Sequence, residues 1–314
     1  MKGSNTMNIG QRLARMCGAA VLALSLVSTA NAADITVKHA QGETAIPASP
    51  AKVLVFDLGT LDNLDRLGVR VTGVPSGISF PEYLKKYQGD DYAKIGTLFE
   101  PDYEAVNAAA PDLIIVAGRS ASKYGELSKI APTIDLTLDA KNFIAGTEAN
   151  IEKLGQLFGK EAGAKTEIEK LDAELAALRN KAANKGNGLL ILTSGGKISA
   201  YGPGSRFGIL HDSLGVTPAA PNLSIGNHGQ PVSSEFILET NPDWLFVIDR
   251  DAAIGREGNS ARQVLDNELV RQTNAWKKDQ VVYLNAQNWY LIGGGLGALH
   301  QTIRQISAAF DNAK

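Results

Sequence analysis

Apolar residues recur along this chain in two alternating rhythms. Val53 to Phe56 is a short unbroken apolar run, of the kind that fills a strand buried on both faces. Leu61 to Leu67 follows with helical spacing and stops at Gly68, a residue free to take the left-handed turn that ends a helix. Val69 to Val74 predicts the next strand, Tyr103 to Ala110 a helix stopped by Pro111, and Leu113 to Ala117 another buried strand. Strands alternating with helices point to a parallel α/β sheet.

Thr147 to Lys185 breaks this rhythm. The stretch is rich in Ala, Glu, Lys and Leu and contains no proline. Ile151, Leu154, Leu157 and Phe158 recur at helical spacing, as do Ile168, Leu171, Leu175 and Leu178. It predicts one long helix, with Gly159 to Gly163 as the place where it can be interrupted. The strand pattern then restarts at Leu189 to Leu192, and Phe207 to Leu214 predicts a helix ending at Gly215-Val216, an echo of Leu67-Gly68-Val69. A longer echo is more informative. Residues 104–119 read EAVNAAAPDLIIVAGR and residues 235–250 read EFILETNPDWLFVIDR, so Glu104 and Glu235, Pro111 and Pro242, Asp112 and Asp243, and Arg119 and Arg250 are each 131 positions apart. The expected fold is therefore α/β, with two Rossmann-like lobes of parallel-rich sheet joined by one long backbone helix. The expected boundaries are an N-terminal lobe over 33–146, a connecting helix over 147–185 and a C-terminal lobe over 186–314.

The first 32 residues stand apart. Lys2, Arg12 and Arg15 precede an apolar run from Met16 to Val27, and Ala30-Asn31-Ala32 is a small-residue cleavage site, so 1–32 reads as a secretory signal peptide. The run is too short to span a bilayer. Cys17 precedes it rather than following it, which does not fit a lipid-attachment cysteine. Removing the segment reduces 31 basic residues to 28 against 33 acidic ones, a net charge of −5, and takes away the sole cysteine. An exported, cysteine-free chain of this size fits the periplasm of a Gram-negative cell, where a large core needs no disulfides. Nothing in the charge pattern suggests nucleic-acid binding.

In open parallel sheets, ligands bind outside the carboxyl ends of the strands. Arg119 and Arg250 follow their strands and are expected in a cleft between the lobes. Arg206, in the glycine-rich stretch Tyr201-Gly-Pro-Gly-Ser-Arg206, makes a third positive group there. Three guanidiniums in an acidic chain suit an anionic ligand. Any one arginine alone would more often be a surface ion pair, but the repeat places two of the three. His228, in the glycine-flanked loop Ile225 to Pro231, and Tyr290, in Asn288 to Gly295, offer an imidazole and a phenol, both accepted by Fe(III). On chemistry alone, a loop histidine is more often merely exposed than a ligand. Two donors also leave four positions of an octahedral ion to be filled by the ligand itself. Glu104 and Glu235 start matched helices and are expected on matching outer surfaces, suited to a two-fold partner.

These residues resemble the periplasmic ferric-siderophore binding proteins, the class III substrate-binding proteins of ABC importers, in particular the catecholate members of the enterobactin and petrobactin type. The stretches that carry the resemblance are 197–216, 233–250 and 288–295, within a similarity running from Val53 to about Phe310. The resemblance implies that His228 and Tyr290 complete the iron sphere of a tetradentate bis-catecholate. It implies that Arg119, Arg206 and Arg250 neutralise the ligand, and that Glu104 and Glu235 dock on the permease dimer of the inner membrane. It further implies a monomeric carrier with no intrinsic cofactor, taking Fe(III) only as its siderophore complex. A ferric bis-catecholate carries one negative charge and a tris-catecholate three. A hexadentate ligand leaves no site for His228 or Tyr290, so the tetradentate case is favoured.

Other readings are an enzyme, the same fold carrying haem, cobalamin or a free divalent metal, and a structural protein. No G-x-S-x-G elbow is present, and Gly293 to Ala298 matches a dinucleotide fingerprint only loosely, without the acid about 20 residues on that the motif needs. Those glycines are expected to form a flexible or close-packing loop. Four scattered histidines make no obvious zinc site.

Overall fold

The computed structural model describes residues 34–313, with residues 1 and 3; the predicted signal peptide, with Cys17, lies outside the described residues. An antiparallel hairpin, β1 (Ile35–His39) and β2 (Gly42–Ile46), opens the chain. It is followed by five strands, β3 (Val53–Val55), β4 (Gly73–Val74), β5 (Ala93–Lys94), β6 (Leu113–Val116) and β7 (Thr133–Asp135). They form one wholly parallel sheet in the order β5-β4-β3-β6-β7. The second sheet is built from β8 (Asn187–Ser194), β9 (Lys197–Tyr201), β10 (Thr217–Pro218), β11 (Gln230–Val232), β12 (Trp244–Asp249) and β13 (Val281–Tyr283). Its order is β11-β9-β8-β12-β13, with β10 on β8. The strands β10, β8, β12 and β13 run parallel; β9 alone turns back, antiparallel to both β8 and β11. The turn from β8 to β9 is Gly195-Gly196, both at positive φ, as a two-residue hairpin requires.

The 131-residue echo is structural as well as sequential. The helices Tyr103–Ala109 and Ser234–Thr240 are N-capped by Asp102 and Ser233 and closed by Ala110 and Asn241, both left-handed. After each turn, Asp112 accepts the amides of Ala51 and Lys52 ahead of β3, and Asp243 accepts that of Asn187 at the start of β8. Each carboxylate thus ties the start of its own strand to that of its parallel neighbour, which sets the register of both sheets in the same way.

Between the sheets, the helix expected over 147–185 is two helices, Phe143–Phe158 and Glu161–Ala182. Gly159, at φ 62, ends the first in the left-handed conformation and so breaks the backbone hydrogen-bond ladder. The two helices meet where Gly155 lies against Ala164, so close that a side chain on Gly155 would collide. Glu161–Ala182 is the helix that links the sheets. The C-terminal helix Leu296–Asn312 packs along it. There His300, 1% exposed, lies between Glu174 (Nδ1 to Oε2, 2.7 Å) and Glu167 (Nε2 to Oε2, 3.3 Å), and Glu167 also takes Arg66 at 3.0 Å. One continuous buried cluster joins Val53 and Leu113 of the first sheet to Leu190 and Phe246 of the second through Leu171, Leu175, Ile303 and Ile306. The halves share a core, which limits how freely they can move apart.

Two other expected elements are shorter than predicted. Val69 to Val74 yields only β4, and Phe207 to Leu214 only the single turn Ile209–Asp212. Both stretches are apolar because they are buried, and burial does not depend on regular hydrogen bonding.

Candidate ligand-binding cleft

A cleft of about 590 Å³ opens where the strand ends of the two sheets face each other. From the first sheet come Asp57 after β3, Arg119 after β6 and Thr137 after β7. From the second come Arg206 after β9 and Tyr290 after β13, with His228 from the loop ahead of β11. For Asp57, Arg119, Thr137 and Tyr290 this is the placement that parallel-strand topology prescribes, whereas Arg206 and His228 come from the segment between the antiparallel pair β9 and β11.

Tyr290 is the point on which the arginines converge. Arg119 donates from Nη2 to the Tyr290 carbonyl, and Arg206 donates to the same oxygen at 3.1 Å. Arg250 donates from Nε to the phenol oxygen at 2.8 Å and from Nη1 to Ser194 Oγ at 3.1 Å. The three guanidinium carbons lie 5.3, 4.6 and 5.4 Å from the Tyr290 ring centre, and Arg206 is also 4.7 Å from the Phe207 ring. Cations over an aromatic face are attracted by its quadrupole. Arg250 is half-buried and reaches the site through the Tyr290 phenol, while Arg119 and Arg206 line the cavity itself.

The charges perturb each other. Burial by itself would raise the Tyr290 phenol, but the Arg250 hydrogen bond and the charges of Arg250 and Arg206 outweigh it and lower its pKa. Arg119 is lowered by burial and by its neighbour Arg206, against which Asp57 and Tyr290 act. Asp57 is raised by burial and held down by its bonds to Thr60 and the charge of Arg119. The result is a positive cleft floor with a phenol predisposed to ionise, an arrangement suited to hard anionic oxygens and to a hard trivalent metal.

His228 is exposed on the cleft, with Asn227 beside it. Tyr290 sits not in a loop but in a single turn of π-helix, Asn288–Ile292, a widened turn often found at functional positions. Glu104 and Glu235 are both exposed, each in the first turn of its matched helix and away from the cleft lining. Among the described residues, no group of three or more His, Cys, Asp or Glu could hold a metal ion on its own.

The support beneath Tyr290 has no local signature in the sequence. Asp62 and Asn63, inside the helix Leu58–Arg66, cap the C-terminal helix from across the junction. Asn63 Oδ1 accepts the Leu296 amide at 2.8 Å, Asn63 Nδ2 donates to the Gly294 carbonyl at 3.2 Å, and Asp62 Oδ2 accepts the Ala298 amide at 2.9 Å. The glycines after Tyr290 now have a reason. A side chain on Gly295 would strike Asp62, and a Cβ on Gly297 would lie 2.6 Å from Asp62 Oδ1. Gly294, at φ 83, faces Leu138. Of the two expected roles, flexibility or close packing, these contacts match close packing.

Comparison with known proteins agrees with this geometry. Residues 55–288 match the model of the family described as periplasmic binding protein. The petrobactin-binding protein YclQ of Bacillus subtilis is 46% identical over 278 residues, covering 87% of each chain. Its crystal structure superposes with a TM-score of 0.86 over 89% of this chain and 99% of that one. The ferric-anguibactin-binding protein FatB of Vibrio anguillarum is 32% identical over 284 residues, 88% of each chain. The periplasmic catecholate-siderophore binding protein VctP of Vibrio cholerae has a TM-score of 0.83 at 33% identity, over 88% of this chain and 99% of that one. Two facing sheets, a linking helix, a cleft at the strand ends and this run of similarity make the chain a member of the periplasmic binding protein family.

Proposed function

We propose that this protein captures a ferric catecholate siderophore in the periplasm and delivers it to an inner-membrane ABC transporter. It is a binding protein rather than an enzyme. The observation that carries the reading is the convergence of Arg119, Arg206 and Arg250 on Tyr290, in a cleft that also exposes His228. The similarity to proteins named for petrobactin, anguibactin and catecholate siderophores favours such a cargo over haem or cobalamin.

Within this reading, the favoured cargo is a tetradentate bis-catecholate. Tyr290 through its phenol oxygen and His228 through a ring nitrogen fill the two positions that four catecholate oxygens leave open, and the arginines balance the remaining negative charge. Glu104 and Glu235 dock the loaded monomer on two matched permease subunits. The leader 1–32 is cleaved, and the position of Cys17 ahead of the apolar run favours release without a lipid.

Fluorescence titration with tetradentate and hexadentate ferric catecholates tests the assignment. His228→Ala and Tyr290→Phe should weaken the tetradentate complex more than the hexadentate one. Equal losses for both would exclude direct coordination. An absorbance scan after loading should show a catecholate-to-iron charge-transfer band, and a Soret band after haem loading would point to the other cargo.

A further inference from the structure

The loop that presents Arg119 is held from outside by a chain of hydrogen bonds. Residues Ala117 to Ser120 turn on Gly118, at φ 46. Inside the turn, the buried Ser120 hydroxyl donates to the Ala117 carbonyl at 3.1 Å and accepts the Ala117 amide at 3.2 Å. Outside it, the Gly118 amide donates to Thr137 Oγ1 at 2.8 Å, and the Thr137 hydroxyl donates in turn to Asp135 Oδ1 at 2.5 Å. Asp135 is 1% exposed; Oδ1 also accepts the Thr137 amide at 2.9 Å, and Oδ2 accepts Gln41 Nε2 at 3.0 Å. Gln41 belongs to the turn of the β1–β2 hairpin, which precedes the segment matched to the family. The hairpin is fastened to the same strand by Ala40 N to Asp135 O at 3.0 Å and by Thr44 Oγ1 to Thr133 O at 2.9 Å.

The polarity of this chain is fixed. A backbone amide can only donate, so the Gly118 N–H takes a lone pair of the Thr137 hydroxyl, whose single proton goes to Asp135. The matched arginine is held differently: Arg250 begins a short helix whose first turn is capped by Asp249. Arg119 sits in a turn, with no helical ladder of its own to fix its backbone.

We propose that Thr137 and Asp135, braced by Gln41 of the N-terminal hairpin, are positioning residues for Arg119, holding the Gly118–Arg119 backbone so that the guanidinium meets the ligand already oriented. The proposal rests on the reading of the cleft as a siderophore site. Its physical basis is preorganisation, because a cation fixed before binding loses less freedom on binding.

The test has one arm without ligand and one with it. In the unliganded protein, amide exchange followed by NMR should show Gly118 protected in the wild type, exposed in Thr137→Val and protected again in Thr137→Ser. Thr137→Val also takes a donor from the buried Asp135 carboxyl, so the thermal unfolding midpoint should fall modestly in Thr137→Val and recover in Thr137→Ser, which keeps both bonds. In titrations with a ferric linear bis-catecholamide, Thr137→Val should weaken binding by about fivefold, the weight of one net hydrogen bond, and Thr137→Ser should restore it. In an Arg119→Gln background, Thr137→Val should add nothing. Unchanged Gly118 exchange, or the same penalty with and without Arg119, overturns the proposal. A wild type that binds no ferric catecholate would refute the cargo instead, and Gly118 exchange would still decide the brace.

Discussion

The Asp62 carboxyl should make the stability of this protein fall as pH rises through mildly acidic values. It is 2% exposed, at the foot of the turn that carries Tyr290. Burial raises its pKa from 3.8 to about 6, although the amides of Ala298 and Gly297 and the Tyr83 hydroxyl pull the other way. Between these values the folded protein holds a proton that the unfolded chain has already released. Unfolding then releases a proton, so stability declines with rising pH across that window, and the full penalty is present above about pH 6. At 1.36 kcal/mol per tenfold change in proton affinity, the two pKa values differ by about 3 kcal/mol. Asp62→Asn keeps the shape and never ionises. It sets an amide group against the helix amides, but that cost does not depend on pH. Urea unfolding of both proteins at about pH 4 and about pH 7 isolates the titration as the change in their stability difference. The wild type should lose about 2 kcal/mol relative to the variant over that interval, since the unfolded-state carboxyl is already largely ionised at about pH 4. A difference that stays flat would show that Asp62 titrates alike in the folded and unfolded states, and the argument from burial would fail.

Gly297→Ala should destabilise the fold by about 2 kcal/mol or more, because its Cβ would press on Asp62 Oδ1 at 2.6 Å, and denaturant unfolding will measure it. Replacing Arg119 or Arg206 by Gln should weaken ferric catecholate binding by about 10- to 100-fold, the weight of a hydrogen bond to a charged group, and should flatten the salt dependence of the affinity in titrations. His300→Ala should cost about 3 kcal/mol in urea unfolding, since it strips Glu167 and Glu174 of the buried ring between them and opens a cavity.

The repeat was the most legible part of the fold. Matching glutamates, prolines, aspartates and arginines at one spacing required two equivalent units, and the caps and strand ties that share this spacing extend the match. The break at Gly159 could be read from glycine chemistry, but the packing of Gly155 on Ala164 could not, because a contact between two helices leaves no signal within either one. Of the cleft residues, Arg119, Arg206, His228 and Tyr290 stood out because a charge, an imidazole or a phenol in a glycine-rich or strand-end setting is unusual. Asp57, Asp62, Asn63, Thr137 and Asp135 did not stand out. Each sits in an ordinary helix, cap or strand end and gains its meaning from a partner distant in sequence, 236 positions away in the case of Asp62 and Ala298.

The sequence alone determined the elements, their duplication and the stock of groups able to hold an anionic iron complex, since periodicity, turn residues and side-chain chemistry are local properties. Tertiary structure decided which of those groups meet. It bonded Arg250 to the Tyr290 phenol, laid the C-terminal helix across the junction with Asp62 as its cap, and connected Gln41 to the loop of Arg119. Hydrogen bonds and charge coupling act over a few ångströms in space, and only the folded chain brings residues so far apart in sequence within that range.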